Sequence, residues 1–330
     1  MMNIITCTDH WPATDVPPRS EPPPVNGWPP ITIITPSLNR ASFIKIAIES
    51  VIAQNYPAVE HIVVDGQSTD GTRDILAAYR HLRVVGETDR GSHHAMNKGL
   101  ALATGRIVGF LNTDDLYAPG IFHAVARRMA GGDTRLAAGR CFFFSSIGEG
   151  EPTAEAELRH VGDPRLYLAE LCYATPGFNA YFFDRDLLSA MGGFDEKFDV
   201  AADRDLLIRA TLAGHRAIFL SEPGYYYRRH PASRTLDRDA RLGAAILTDH
   251  RMVARKLLAD ESLRPDARRM LRGWRAWETA RLLSFYCEPG TWRKAATLMV
   301  ESGAEDPVWP ARLVSAAAAM KQLRHAISKR

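Results

Sequence analysis

Between residues 31 and 115 the chain repeats one pattern. A short apolar run gives way to a polar break, and then apolar residues recur three and four positions apart. ITIITPS, HIVVD and RIVGFLN are such runs, too short for helices and rich in β-branched residues, and each predicts a buried strand. LRVVGETD is a further strand-like segment. SFIKIAIESVIAQ, RDILAAYR and HHAMNKGLALATG carry the helical spacing, the last closed by Gly105. Strand and helix alternating at this interval predict βαβ units and a mainly parallel sheet. Beyond Asp115 the pattern is less regular. RCFFFSSI and NAYFF predict later strands, RDLLIRATLAG a helix stopped by Gly214, and HRAIFLSE with GYYYRRH more strand. From residue 236 onward the chain is rich in Ala, Arg and Leu and predicts helices interrupted near Pro265, Pro289 and Pro307–Pro310. The expected organisation is a proline-rich leader over 1–30, an α/β domain over 31–235, and a helical region over 236–330.

Charge changes this picture in one respect. The net charge of +3 is unevenly spread, because residues 238–330 hold 18 Lys and Arg against 10 Asp and Glu. A basic rear predicts either a solvated helical surface or contact with something anionic. WRAWETARLLSF looks amphipathic, with Trp274, Arg275, Trp277 and Arg281 as anchors for an anionic membrane surface. Nucleic acid is not expected as a partner, since no recognisable binding motif or aromatic-basic platform accompanies the charge. The four cysteines are scattered and form no CxxC pair, which argues against a zinc site or a disulfide framework. Neither a signal peptide nor an apolar stretch near the ~20 residues of a membrane span is evident. A cytoplasmic protein, peripheral on the cytoplasmic face of the inner membrane, is the expectation.

The chemistry concentrates where strands end. In open α/β sheets ligands bind beyond the carboxyl ends of the strands, and Pro36, Ser37, Asp65, Asp114 and Asp115 all fall at such ends. A strand-end carboxylate can share Mg²⁺ or Mn²⁺ with diphosphate oxygens, since these hard cations are commonly held by one or two carboxylates plus substrate phosphates. Asp65 opens the GQSTDGT loop, placed to accept hydrogen bonds from a base or a ribose. DRGSHHAMNKG brings Asp89, Arg90, Asn97 and Lys98 beside another strand end.

Taken together, TPSLNR, VVDGQSTDGT, DRGSHHAMNKG, GFLNTDD, GGFDE, AADRDLLIR and YYRRHPASRT resemble, in order, the motifs of a family 2 glycosyltransferase of the GT-A fold. The likeness is to bacterial enzymes of cell-surface polysaccharide assembly, of the colanic-acid type. It implies an inverting transferase that uses a nucleotide-sugar donor, most simply a UDP-sugar, and Mg²⁺ or Mn²⁺. The acceptor would be a hydroxyl on a glycan, a lipid-linked glycan or a glycolipid. By the match, Asp114 lies near the ribose and Asp115 holds the metal, with His230 as a second metal contact. Pro36, Ser37, Asp65, Arg90, Asn97 and Lys98 face the donor. Asn112 and Ala202 depart from the acidic residues many members carry there. Asp203 is the implied catalytic base, taking the proton of the attacking hydroxyl. Two other functions are weighed against this one. A nucleotidylyltransferase also uses an α/β sheet, a metal and carboxylates, but needs a Gly-rich basic loop that TPSLNRASF lacks. An inactive nucleotide-sugar-binding protein is disfavoured by Asp65, Asp115 and Asp203.

Overall fold

In the computed structural model of the chain, residues 4–6, 24, 27–145, 153–158, 165–230, 240–286 and 290–328 are described. Most of the leader and residues 231–239, which include PASRT of the last motif, lie outside them. The expected βαβ plan is present. Strands β1 (Ile4–Thr6), β2 (Ile31–Ser37), β3 (Val59–Asp65), β4 (Leu82–Gly86) and β5 (Ile107–Phe110) open the chain. Helices α1 (Ile44–Ile52), α2 (Thr72–Ala77) and α3 (Ser92–Leu102) connect the last four. β2 lies at the centre with β3 on one side and β5 on the other, all parallel, and β4 extends the sheet beyond β3. The strand order therefore reverses between β2 and β5, and the switch opens a crevice at their carboxyl ends.

Alternation along the buried strands explains the register. Ile33 and Ile107 face one core while Ile34 and Val108 face the other, as the two-residue period of a strand requires. Past β5 come β6 (Leu116–Tyr117), α4 (Ile121–Met129), β7 (Leu136–Ser145), β8 (Thr153–Leu158) and α5 (Tyr167–Tyr173). β9 (Tyr181–Asp184), α6 (Arg185–Ala190), α7 (Ala202–Leu212) and β10 (Ile218–Arg228) follow. β9 pairs antiparallel with β5, β7 antiparallel with β9, and β10 parallel with β7. HRAIFLSE and GYYYRRH thus form one strand, kinked between Phe219 and Tyr225. Glycine permits the kink: a Cβ on Gly139 would come within 2.6 Å of the Gly224 backbone.

The C-terminal region is helical as expected, comprising α8 (Ala240–Leu258), α9 (Pro265–Phe285), α10 (Trp292–Glu305) and α11 (Arg312–Ser328). α9 is held between α8 and α11 and against α5. Its Trp274 is fully buried in the same apolar core as Val108, Phe110 and Leu206. This corrects the expected interfacial face of WRAWETARLLSF. Trp274 packs inward, Arg275 pairs with Glu305, and Arg281 turns to Glu278. With Trp274 in the core, the four residues share no exposed apolar face.

Candidate active site

A cleft of about 720 Å³ runs from the carboxyl ends of β2 and β5 to the N-terminus of α7 and on to α8 and α9. At the strand end it is lined by Pro36, Ser37, Asn112, Thr113 and Asp114. The Ser37 hydroxyl is buried there without a hydrogen-bond partner. The two adjacent carboxylates at the end of β5 have separate environments. Asp115 is 1% exposed and accepts hydrogen bonds from the Tyr225 hydroxyl (2.7 Å), the Arg228 backbone N–H (2.8 Å) and the Asn112 side-chain amide (3.1 Å). Burial first, and then the charge of Asp114, push its pKa upward, while those three donors pull it back. Asp114 instead faces the cleft, with Oδ2 2.9 Å from His230 Nε2, and the imidazole leans on the Phe43 ring.

The geometry separates the two acids of the pair. Asp115, matched to the metal position, is buried in the turn, and Asp114, matched to the ribose, lines the cleft beside His230. Asn112 also gains a physical reason: its amide donates to Asp115, whereas a carboxylate there would bring a like charge against a buried one. Arg228 is spent on the same turn, its Nε donating to the Asp114 carbonyl and its guanidinium lying over Phe144.

Four other expected donor contacts lie elsewhere. Asp65 is buried and binds its own loop, accepting from the Ser68 N–H (2.9 Å) and hydroxyl (2.5 Å). Its side chain closes a turn and does not line the cleft, because two local donors satisfy it first. Arg90 pairs with Glu196, and Asn97 bonds both Phe194 backbone groups, clamping α3 to the Gly193–Phe194 loop. These two line a separate recess. Lys98 reaches back to the Thr88 carbonyl and to Glu87.

At the far end, Asp203 lines the cleft from the first turn of α7, where the helix N-terminus favours a negative charge. Asp205 points away, fully buried between Arg209 and Lys256. The backbone just before Asp203 is tied by α8, since Asp249 accepts from the N–H groups of Val200 and Ala201. Arg204, His250, Glu278 and Arg281 complete this wall. The last three were not anticipated as site residues. No local pattern marks them, because they reach the cleft only through the packing of α8 and α9 on α7.

Comparison with known proteins agrees with this architecture. Residues 32–187 match the model of glycosyl transferase family 2. The succinoglycan biosynthesis protein ExoO of Rhizobium meliloti is 30% identical over 77% of this chain and 76% of its own length. The chain belongs to glycosyl transferase family 2. It is a glycosyltransferase with a GT-A fold. A teichuronic acid biosynthesis glycosyltransferase of Bacillus subtilis, named TuaG and described as putative, is 42% identical over 28% of this chain and 38% of its own. Among solved structures, S. aureus TarS in complex with UDP aligns with a TM-score of 0.57 at 21% identity, covering 77% of this chain and 72% of that one. The mannosyltransferase PcManGT of Pyrobaculum calidifontis, in complex with GDP-Man and Mn²⁺, gives 0.56 at 24% identity, over 95% of this chain and 87% of that one.

The residues of this family 2 transferase suit a divalent cation whose other ligands arrive with the substrate. Among the described residues no group of three or more His, Cys, Asp or Glu side chains converges. The pair of Asp114 and His230 supplies one carboxylate and one imidazole. That set fits Mg²⁺ or Mn²⁺ shared with diphosphate oxygens rather than a fully protein-ligated ion.

Proposed function

We propose that the protein transfers a sugar from a nucleotide-diphosphate donor, a UDP-sugar first among candidates, to a hydroxyl of a cell-surface glycan, lipid-linked glycan or glycolipid, with inversion at the anomeric carbon. The observation that carries this reading is a single cleft joining Asp114 and Asp203, the first beside His230 at the end of β5 and the second at the start of α7. Asp114 and His230 would hold the divalent metal, which when bound offsets charge on the departing diphosphate. Pro36, Ser37 and Thr113 line the donor's end of the cleft. Asp203 takes the proton of the acceptor hydroxyl as that oxygen attacks the anomeric carbon and the nucleotide diphosphate leaves from the opposite face. One carboxylate suffices, because a single displacement forms no covalent sugar–enzyme bond.

The nucleotidylyltransferase alternative loses support at the loop after β2. The N–H groups of Asn39, Arg40 and Ala41 already donate to Ser68, Thr72 and Asp70, so that loop has no free amide cradle for a triphosphate. Incubation with UDP- and GDP-sugars in Mn²⁺, followed by NMR of the product, tests the assignment. Metal-dependent turnover with an inverted anomeric centre is expected; a retained configuration overturns the single displacement.

A peripheral site on the cytoplasmic face of the inner membrane remains our proposal for location, carried now by a different helix. α10 exposes Trp292, Met299 and Val300 next to exposed Arg293 and Lys294. No helix among the described residues is long and apolar enough to cross a bilayer. Salt-sensitive sedimentation with anionic but not neutral vesicles, weakened in Trp292→Ala, is the expected result.

A further inference from the structure

Within the helical wall, one side chain is presented to the cleft with its hydrogen-bonding role fixed from behind. His250 on α8 is 8% exposed and lines the cleft. Its Nδ1 lies 3.2 Å from Glu278 Oε1 on α9. The same carboxylate accepts from Trp274 Nε1 (3.1 Å) and Arg281 Nη1 (2.9 Å). Burial first, and then the charge of Arg204, hold the imidazole neutral, while Glu278 opposes them. Glu278 stays ionised: burial pushes its pKa up, but the hydrogen bond from His250 and the charges of Arg281 and Arg204 outweigh that. A carboxylate can only accept, so Nδ1 must carry the proton of the neutral ring, and Nε2 is left as an acceptor. Nε2 is not among the fully enclosed polar atoms that lack a partner.

We infer that His250, oriented by Glu278, is an acceptor-binding residue that receives a hydrogen bond from a hydroxyl of an uncharged sugar, beside the hydroxyl that attacks. This rests on the proposed transfer reaction and adds the acceptor's chemistry to it. The charges of the wall support a ligand without negative charge, since Asp199, Asp203 and Glu278 outnumber Arg204 and Arg281 and leave no positive excess for an anionic sugar. Glu278 is a positioning residue, acting through the ring it holds. The N-terminal sheet supplies none of these groups, so acceptor choice is assigned to the C-terminal helices.

The test uses the full chain, the nucleotide-sugar that the donor assay selects, and octyl β-D-glucoside, galactoside and mannoside as neutral acceptors, with octyl β-D-glucuronide as the anionic counterpart. Acceptor KM, donor KM and donor hydrolysis without acceptor are measured separately. His250→Ala should raise the KM of the neutral acceptor by about tenfold, the scale of one hydrogen bond, with donor KM and hydrolysis unchanged. His250→Gln, whose Oε1 can still accept, should recover part of the loss. Glu278→Gln, which frees the tautomer, should fall between wild type and His250→Ala. An unchanged acceptor KM, or donor hydrolysis lost in parallel with transfer, overturns the assignment. So does a wild-type enzyme that turns over donor but neither binds any neutral glycoside by saturation-transfer NMR nor glycosylates one, or that prefers the glucuronide. Failure of the wild type to turn over any nucleotide-sugar would instead reject the transfer reaction itself.

Discussion

The two ends of the cleft are built in different ways. At the strand end, the polar residues follow directly on buried apolar runs, and a few local hydrogen bonds hold them. Asp115, Asn112, Tyr225 and the Arg228 backbone lock one turn, and Asp114 emerges from it. At the helical end, the groups come from α7, α8 and α9 and meet only through tertiary packing. Asp249 reaches the backbone ahead of Asp203, and Glu278 gathers His250, Trp274 and Arg281. A sheet edge can be specified by short motifs; a helical wall is specified by the whole bundle. That division suits an enzyme whose donor site follows from its fold and whose acceptor site is its own.

The comparison breaks first at Asp203. Asp203→Asn is nearly isosteric and keeps the fold, yet its amide does not take a proton at neutral pH. Transfer should fall by roughly 10²–10⁴-fold with donor affinity by calorimetry unchanged. A near wild-type rate would leave Asp203 only the electrostatic role of an acid in the first turn of α7. At the other end, Asp114→Ala and His230→Ala should each lower turnover by roughly 10²–10³-fold and weaken donor binding only when Mn²⁺ is present. EDTA should abolish turnover of the wild type and Mn²⁺ should restore it. A mutant that keeps both its rate and its metal requirement would remove that residue from the metal pair.

The neighbouring acids sharpen the contrast further. Asp115→Ala leaves three buried or half-buried donors without an acceptor, and should cost about 3–5 kcal/mol of stability, read as a large fall in Tm. Asp114→Ala, at the cleft surface, should leave Tm close to wild type. Equal Tm losses would mean that both acids, or neither, anchor the turn.

This pair also shows how far the sequence is legible. GFLNTDD marks a strand end and two carboxylates, but adjacency cannot say which one is buried. Tyr225 and Arg228 decide that, and both lie more than a hundred residues away. The parallel sheet and its helices could be read because burial on both faces demands unbroken β-branched runs, as in Ile31–Thr35 and Ile62–Val64. α4, by contrast, is hard to read in the sequence: Phe122, Val125 and Met129 recur at helical spacing, but the helix is only nine residues long and sits in an irregular stretch. The surroundings of DRGSHHAMNKG are hidden in the sequence for a similar reason. Arg90, Asn97 and Lys98 are polar and near a strand end, but each is consumed by a partner that only the folded chain supplies. His250 and Glu278 carried no local signal at all.

The smallest effect compares two buried histidines, one from each half. His61, in the middle of β3, has Nε2 2.9 Å from the Thr35 hydroxyl and no carboxylate beside it. Burial, followed by the charge of His81, lowers its pKa to about 3. His250 is also lowered by burial but has Glu278 to offset part of the cost of protonation. The sign follows from proton counting. Between pH 6.5 and 3 the unfolded chain binds a proton at His61 that the folded chain does not, so stability falls as pH falls through that window. At about 1.4 kcal/mol per pH unit below 6.5, His61 should remove about 2 kcal/mol between pH 7 and pH 5. His61→Gln can keep a hydrogen bond to Thr35 without titrating, and should flatten the decline in Tm between those two values. His250→Gln should flatten it less, because Glu278 makes the native ring easier to protonate. Equal slopes in the two mutants would show that the carboxylate behind His250 does not set its charge, and would weaken the case that Glu278 governs that ring.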